Sequence, residues 1–323
     1  KSDWKMNVYL SVAIIIACIQ LNFRNVLSTE VAGSVVELNS RIVGGTRANA
    51  KRYPYYVYLR RFFRSGKEFI CGGSLVNSDV VLTAAHCLNS FIDPIVKINV
   101  YVNYTQSIAV TWNLTEYVHV RKAISWFPHP KSDPLISYNP PYDAGLVFLD
   151  KPINLVSPIK LNSDADFPAD GDPVTAIGHG YVDVAETPAF PFYLNEASMP
   201  IVSFEDCNDS NSYSGQVTDE TMICAGLPSG GKDTCTGDSG GPLLVAGSSA
   251  AKDILVGVTS WGEGCALKNF PGVYTRVSHI QKWIDTNICR YSKKKPTSCP
   301  KPKPPTKKPT RSMVTSRPTR KAM

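Results

Sequence analysis

Gly237-Asp238-Ser239-Gly240-Gly241-Pro242 is the stretch around which the 323-residue chain is organised. Its glycines let the backbone approach a ligand closely and adopt positive φ. The two glycines and the proline after Ser239 set a turn that leaves the hydroxyl exposed. A plain Gly/Pro/Ser turn between strands fits the hexapeptide equally well. A serine nucleophile, however, needs a base and a group that orients the base. Two upstream segments offer them: Thr83-Ala84-Ala85-His86-Cys87 and Tyr142-Asp143-Ala144-Gly145-Leu146. The chain order is His, then Asp, then Ser, one of several orders in which this constellation occurs on unrelated folds.

Composition narrows the class. A hydrophobic content of 43% is enough for a packed core and excludes a disordered chain. The net charge of +7 is located at one end. Residues 291–323 hold eight Lys, three Arg and no acid, so the remainder carries −4. A basic tail of this kind gives no reason to expect nucleic-acid binding by the folded part. Nine cysteines together with an apolar N-terminal run point to an oxidising compartment. His119, His129, His179 and His279 show no metal-ligand spacing and read as surface or packing residues; no metal or other cofactor is expected.

Along the chain, translation is expected to start at Met6. Val8 to Ile19 is apolar, long enough for a signal-peptide core and short of the ~20 residues a span needs. Residues 1–20 are therefore read as a signal peptide, with a signal anchor as the alternative. From Tyr53 onward the text is β: Tyr55–Leu59, Val80–Leu82 and Val96–Val102 are short, branched and aromatic. Ser278-His279-Ile280-Gln281 reads as a capping box. Ile280, Trp283, Ile284, Asn287 and Ile288 follow at helical spacing. Residues 291–323, rich in Lys, Pro and Thr, form a tail without a core. It is read either as a tether to an anionic surface such as a glycosaminoglycan or as a solvated extension.

Together with Arg41-Ile42-Val43-Gly44-Gly45, these motifs resemble those of the trypsin-like, chymotrypsin-fold secreted serine proteases, from Ile42 to about Cys289. The resemblance implies an all-β fold of two six-stranded antiparallel barrels, the first ending near Lys160, with a C-terminal helix. It divides the chain into a propeptide at 21–41, a protease domain at 42–290 and the tail. It makes Ser239 the nucleophile, His86 the base and Asp143 the orienting carboxylate, with the Gly237 and Ser239 amides as oxyanion hole. It puts Asp233 at the floor of the primary pocket, Gly262 and Gly272 in its walls, and Ser260 and Trp261 along the substrate backbone. A carboxylate there favours Arg or Lys at the cleavage position. Cutting after Arg41 frees the Ile42 amine, which in this family pairs with the residue matching Asp238.

The same resemblance pairs Cys71–Cys87, Cys207–Cys224 and Cys235–Cys265. Removal of Cys18 leaves Cys289 and Cys299 as a last pair, or as free or intermolecular thiols. Sequons stand at Asn103, Asn113 and Asn208. The Pro-rich insertion from Phe127 to Tyr142 lies where the family overhangs its cleft. Two departures from the family pattern are Gly145, where a larger apolar residue is usual, and His179, where tryptophan is. The expected product is a secreted, monomeric endopeptidase acting on proteins or peptides and met by protein inhibitors. The rival reading is a catalytically silent homologue that binds or regulates. A chymotrypsin- or elastase-like specificity is disfavoured by Asp233.

Overall fold

A computed structural model describes residues 42–49, 51–89, 92–105, 118–132, 139–180 and 193–301. The expected signal peptide and propeptide, Arg41, Asn113 and residues 302–323 lie outside the described residues. Among the described residues no helix is long and apolar enough to cross a membrane.

The first barrel is built from β2 (Tyr56–Phe63), β3 (Glu68–Asn77), β4 (Val80–Thr83), β5 (Ile95–Val102), β6 (His119–Pro128) and β7 (Gly145–Leu149), after a short β1 (Thr46–Arg47). It closes in the order β2-β3-β4-β7-β6-β5. Branched and aromatic residues fit the pleated, half-buried surface. Val57, Leu59, Leu75, Val81, Leu82, Val100, Leu146 and Leu149 are all fully buried.

The second barrel uses β9 (Pro173–Gly178), β10 (Asn195–Val202), β11 (Met222–Ala225), β12 (Pro242–Val245), β13 (Ile254–Trp261) and β14 (Gly272–Arg276). Its ring runs β10-β11-β14-β13-β12-β9 and closes through the β9–β10 pairing. β1 adds to β10, and β8 (Lys160–Leu161) joins β13 in parallel. A four-residue α1 (Phe204–Cys207) precedes β11. Closure removes the exposed edges that open sheets leave. The two six-stranded antiparallel barrels agree with the sequence expectation.

The C-terminal helix, α2 (Val277–Tyr291), buries Val277, Ile280, Ile284 and Ile288. The expected capping box does not form. The helix starts two residues earlier, with Arg276 rather than Ser278 at the cap and no side-chain cap bond, and Ser278 Oγ sits inside the first turn without a partner among the described residues. The strand β14 runs straight into the helix, so the backbone turns before Ser278 can cap it. The root of the expected tail is tied down as well. Ser292 Oγ donates to Asp79 Oδ1 at 2.6 Å and Lys293 N to Asp79 Oδ2 at 2.7 Å, while Cys289 bonds to Cys299. A buried carboxylate must have such partners, and Asp79 is 1% exposed. The remaining disulfides join Cys71–Cys87, Cys207–Cys224 and Cys235–Cys265.

Candidate active site

Ser239 lies in the loop entering β12, between two glycines of positive φ, Gly237 (+101°) and Gly240 (+80°). The conformation is free only to glycine, and the space is as well. A Cβ on Gly240 would stand 2.1 Å from Thr83 Oγ1 and 2.7 Å from Gly72 O. The first barrel thus presses directly on the serine turn, and Gly72 N donates to Ser239 O at 2.8 Å.

His86 stands in the loop after β4, beside Cys87, whose disulfide to Cys71 pins it to β3. Asp143 immediately precedes Ala144 and β7, and is 1% exposed. Its Oδ2 lies 2.7 Å from His86 Nδ1, and its Oδ1 accepts from the His86 amide at 2.9 Å. Ser260 Oγ donates to Oδ2 at 2.6 Å, and the main-chain oxygen of Asp143 accepts from Thr275 Oγ1 at 2.8 Å. An ionised carboxylate only accepts, so Nδ1 carries the proton and Nε2 is the free ring nitrogen. Burial alone would raise Asp143, but the His86 charge and the bonds from His86 and Ser260 hold it below the usual carboxylate range. Burial pulls His86 down, and the Asp143 charge and hydrogen bond outweigh it, leaving the imidazole raised. Among the described residues no hydrogen bond joins Ser239 Oγ to His86. Such bonds are commonly long before substrate binds.

The Asp238 amide donates to Cys235 O at 2.9 Å. The amides on either side, of Gly237 and Ser239, donate to no group among the described residues. Two free donors flanking a residue in this way can receive an oxyanion.

Behind this turn a cavity of about 160 Å³ is lined by Asp233, Thr236, Ser260, Trp261, Gly262 and the Cys235–Cys265 bond, among others. Asp233, 3% exposed, accepts from Thr234 N at 2.7 Å and from Ala266 N at 3.0 Å. Burial pushes its carboxyl up to about 6 against those bonds. Gly272 lies against the carboxylate: a Cβ there would stand 2.5 Å from Asp233 Oδ1. At Gly262 the nearest atoms to a Cβ are 3.5–4.0 Å away, which is ordinary contact. A larger cavity of about 670 Å³ beside Arg276 and His279 contains none of these groups.

Asp238 is fully buried between Gly178 and Gly180. The Gly180 amide donates to Oδ1 at 2.7 Å and the Cys235 amide to Oδ2 at 2.9 Å. No ion pair among the described residues reaches it, and burial pushes it up to about 7. Ile42 is fully buried, and Val43 bridges to Asp233. Of the surface or packing alternatives read from the sequence, His179 takes packing. It is 2% exposed among Tyr56, Tyr58 and Tyr104, and burial holds it neutral, down to about 3. Gly145 leaves room for Leu88, whose Cδ1 would lie 2.5 Å from a Cβ.

Local motifs gave no hint of Tyr213 or Thr275. The Tyr213 hydroxyl donates to Pro271 O and accepts from Glu263 N, and its ring meets Trp261 edge-on at 4.7 Å. Of the sequons, Asn103 has φ +61°, and Asn208 Oδ1 accepts from Gly215 N and Val217 N. The one grouping of metal-type ligands among the described residues is Cys71, His86 and Cys87. Its two sulfurs are bonded to each other and offer no thiolate.

A family model described as Trypsin matches residues 42–284. Hypodermin-B of Hypoderma lineatum is 34% identical over 256 residues, covering 79% of this chain and 90% of that protein. Trypsin delta of Drosophila melanogaster is 33% identical, with 79% and 91% covered. A vitellin-degrading protease of Bombyx mori is 34% identical over 252 residues, with 77% and 86% covered. With both barrels closed, four disulfides formed and His86, Asp143 and Ser260 bonded in one network, the chain belongs to the trypsin family of serine proteases.

Proposed function

We propose that this protein is a secreted serine endopeptidase, made as a zymogen, that cleaves after Arg or Lys. The observation that carries the reading is the buried Asp143 carboxylate 2.7 Å from His86 Nδ1. It fixes the tautomer in which Nε2 can take a proton. Nε2 accepts the proton of Ser239 Oγ as that oxygen attacks the scissile carbonyl, and Asp143 stabilises the imidazolium that forms. The same proton passes to the leaving amine, and water repeats the sequence on the acyl-enzyme. The Gly237 and Ser239 amides receive the oxyanion.

Asp233 supports the specificity. A buried carboxylate lining a narrow cavity selects a cationic side chain. The zymogen reading rests on Asp238 and Ile42, both buried, with no cation on the carboxylate. Cleavage after Arg41 supplies one as the Ile42 α-amine. The apolar block at 8–19, the four disulfides and the sequons support export to an oxidising compartment, with glycosylation at Asn103, Asn113 or Asn208. Protein substrates and protein inhibitors are the expected partners, and the basic tail of residues 291–323 is a tether for anionic surfaces.

The test is hydrolysis of paired Arg- and Phe-ending peptide amides by protein cleaved at Arg41, with Ser239→Ala as control. Arg-selective turnover lost in the variant is expected. A folded, correctly cleaved protein that turns over neither amide is instead the silent binding homologue.

A further inference from the structure

We infer that Tyr142 is a positioning residue for Asp143: clamped by the end of β6 and the C-terminal helix, it holds the strained turn that presents the carboxylate to His86. The inference rests on the proposed role of Asp143 as the triad carboxylate.

Tyr142 has φ +62°, a left-handed conformation that a bulky aromatic rarely adopts. Ala144 N donates to Tyr142 O at 2.6 Å, closing a three-residue turn with Asp143 at its centre. Such strain persists only where the surroundings over-determine it. Here they do. The Tyr142 ring stacks on His129 at 4.7 Å with 7° between planes, and His129 meets Trp283 of α2 edge-on at 4.7 Å. The Tyr142 hydroxyl lies 3.1 Å from His279 Nε2 and accepts from Lys131 Nζ at 3.3 Å. Lys131 Nζ also stands 4.9 Å over the ring.

His129 ties the stack to the turn, its amide donating to Ala144 O at 2.7 Å. Burial and Lys131 hold the His129 imidazole down to about 4, so it stays neutral in the stack. On the opposite side, Thr275 Oγ1 grips the Asp143 carbonyl. The turn is therefore held by the second barrel from one side and by the stack from the other. Without the ring, the clamp from His129 and α2 on the positive φ is lost and only the backbone bonds and Thr275 oppose the strain. The turn relaxes, and Asp143 leaves its contact with His86.

The charged groups acting on His86 are Asp143 and Arg61; those facing Tyr142 are His129, His279 and Lys131. Losing the Asp143 contact leaves burial and Arg61, both of which lower His86. The primary test is an NMR titration of His86 in the uncleaved Ser239→Ala protein, a readout independent of turnover. Tyr142→Ala is expected to move the His86 titration to lower pH, and Tyr142→Phe, which keeps the stack, to leave it in place. In the cleaved, active protein, Tyr142→Ala lowers kcat by about 10–100-fold, as misplacement of a catalytic group does, with KM nearly unchanged.

An unmoved His86 titration in Tyr142→Ala overturns the inference, whatever happens to activity. If that variant does not fold, Tyr142→Leu, which keeps bulk without a planar ring, is read by the same criterion. A wild-type protein inert toward amides refutes the proposed function separately, because the titration needs no turnover.

Discussion

The amide of Gly180 donates to Asp238 Oδ1 at 2.7 Å, and a Cβ on Gly180 would stand 2.4 Å from the other oxygen of the same carboxylate. The pocket for Asp238 is thus cut to fit a glycine. Gly180→Ala should expel the carboxylate without touching His86, Asp143 or Ser239. The expected result is a drop in kcat/KM on an Arg amide of at least about tenfold in the cleaved protein, since the adjoining Ser239 turn is misplaced. Activity equal to wild type would show that Asp238 can settle elsewhere.

On the proposed zymogen reading, Asp238 should make stability depend on cleavage. In the uncut chain burial raises its pKa to about 7, above its ordinary value. The folded state then holds a proton that the unfolded state has released. Stability is greatest below the unfolded pKa and is lost as pH rises through about 7. The freed Ile42 amine would remove that loss by pairing. The Tm of cleaved Ser239→Ala protein should exceed that of the uncut form by more at pH 8 than at pH 5. An equal gap at both pH values would contradict the pairing.

Asp233 carries a pH signature of its own. Burial raises its carboxyl to about 6, and only the ionised form attracts a cationic side chain. KM for an Arg amide should therefore rise as pH falls through about 6, while KM for a Phe amide stays flat. Asp233→Asn should lower kcat/KM on the Arg amide by roughly 30-fold or more, the usual consequence of truncating one partner of a buried charge pair. A pH-independent KM ratio would place the cation elsewhere.

Gly262 tests the walls of the same pocket. Gly262→Val adds branches where a Cβ already meets Tyr213 Oη at 3.5 Å. KM for the Arg amide should rise by about tenfold or more, the scale on which pocket shape discriminates. An Ala-ending amide, which does not fill the cavity, should be unaffected. Parallel losses on both would mean that the loop had moved rather than the pocket narrowed.

Asp79 holds the chain after α2. Asp79→Ala removes the acceptor for Ser292 and Lys293. Leaving buried donors unpaired costs about 1–3 kcal/mol, which for a domain of this size is a Tm decrease of about 3–10 °C. Calorimetry checks it, and hydrolysis of the Arg amide should be retained.

What could be read in advance was what lies close in sequence or keeps a fixed chemical context. The segments around His86, Asp143 and Ser239 and the apolar spacing of Ile280, Ile284 and Ile288 fall in this class, whereas the pairing of Cys235 with Cys265 comes only from the family resemblance. The start of α2 did not, because a good local cap at Ser278 lost to the path of β14 into the helix. Nor could the sequence show that Ser292 finds Asp79, 213 positions away, or that Tyr142 meets His279, 137 positions away. Those pairings follow from barrel closure, which no local pattern encodes. His179 reads from the sequence only as a surface or packing histidine, and its tyrosine neighbours appear once β2 and β9 are in place.

The contacts of Gly72 with Ser239, of Thr275 with Asp143 and of Arg52 with Asp253 all cross from one barrel to the other. Ser239 belongs to one barrel, and His86 and Asp143 to the other. On the proposed mechanism the chemistry is therefore a property of the seam that these bonds hold. A substitution that let the barrels shear by an ångström would silence the protein while leaving both barrels closed and every site residue in place. Loss of activity in a relative need not leave a missing residue as its trace.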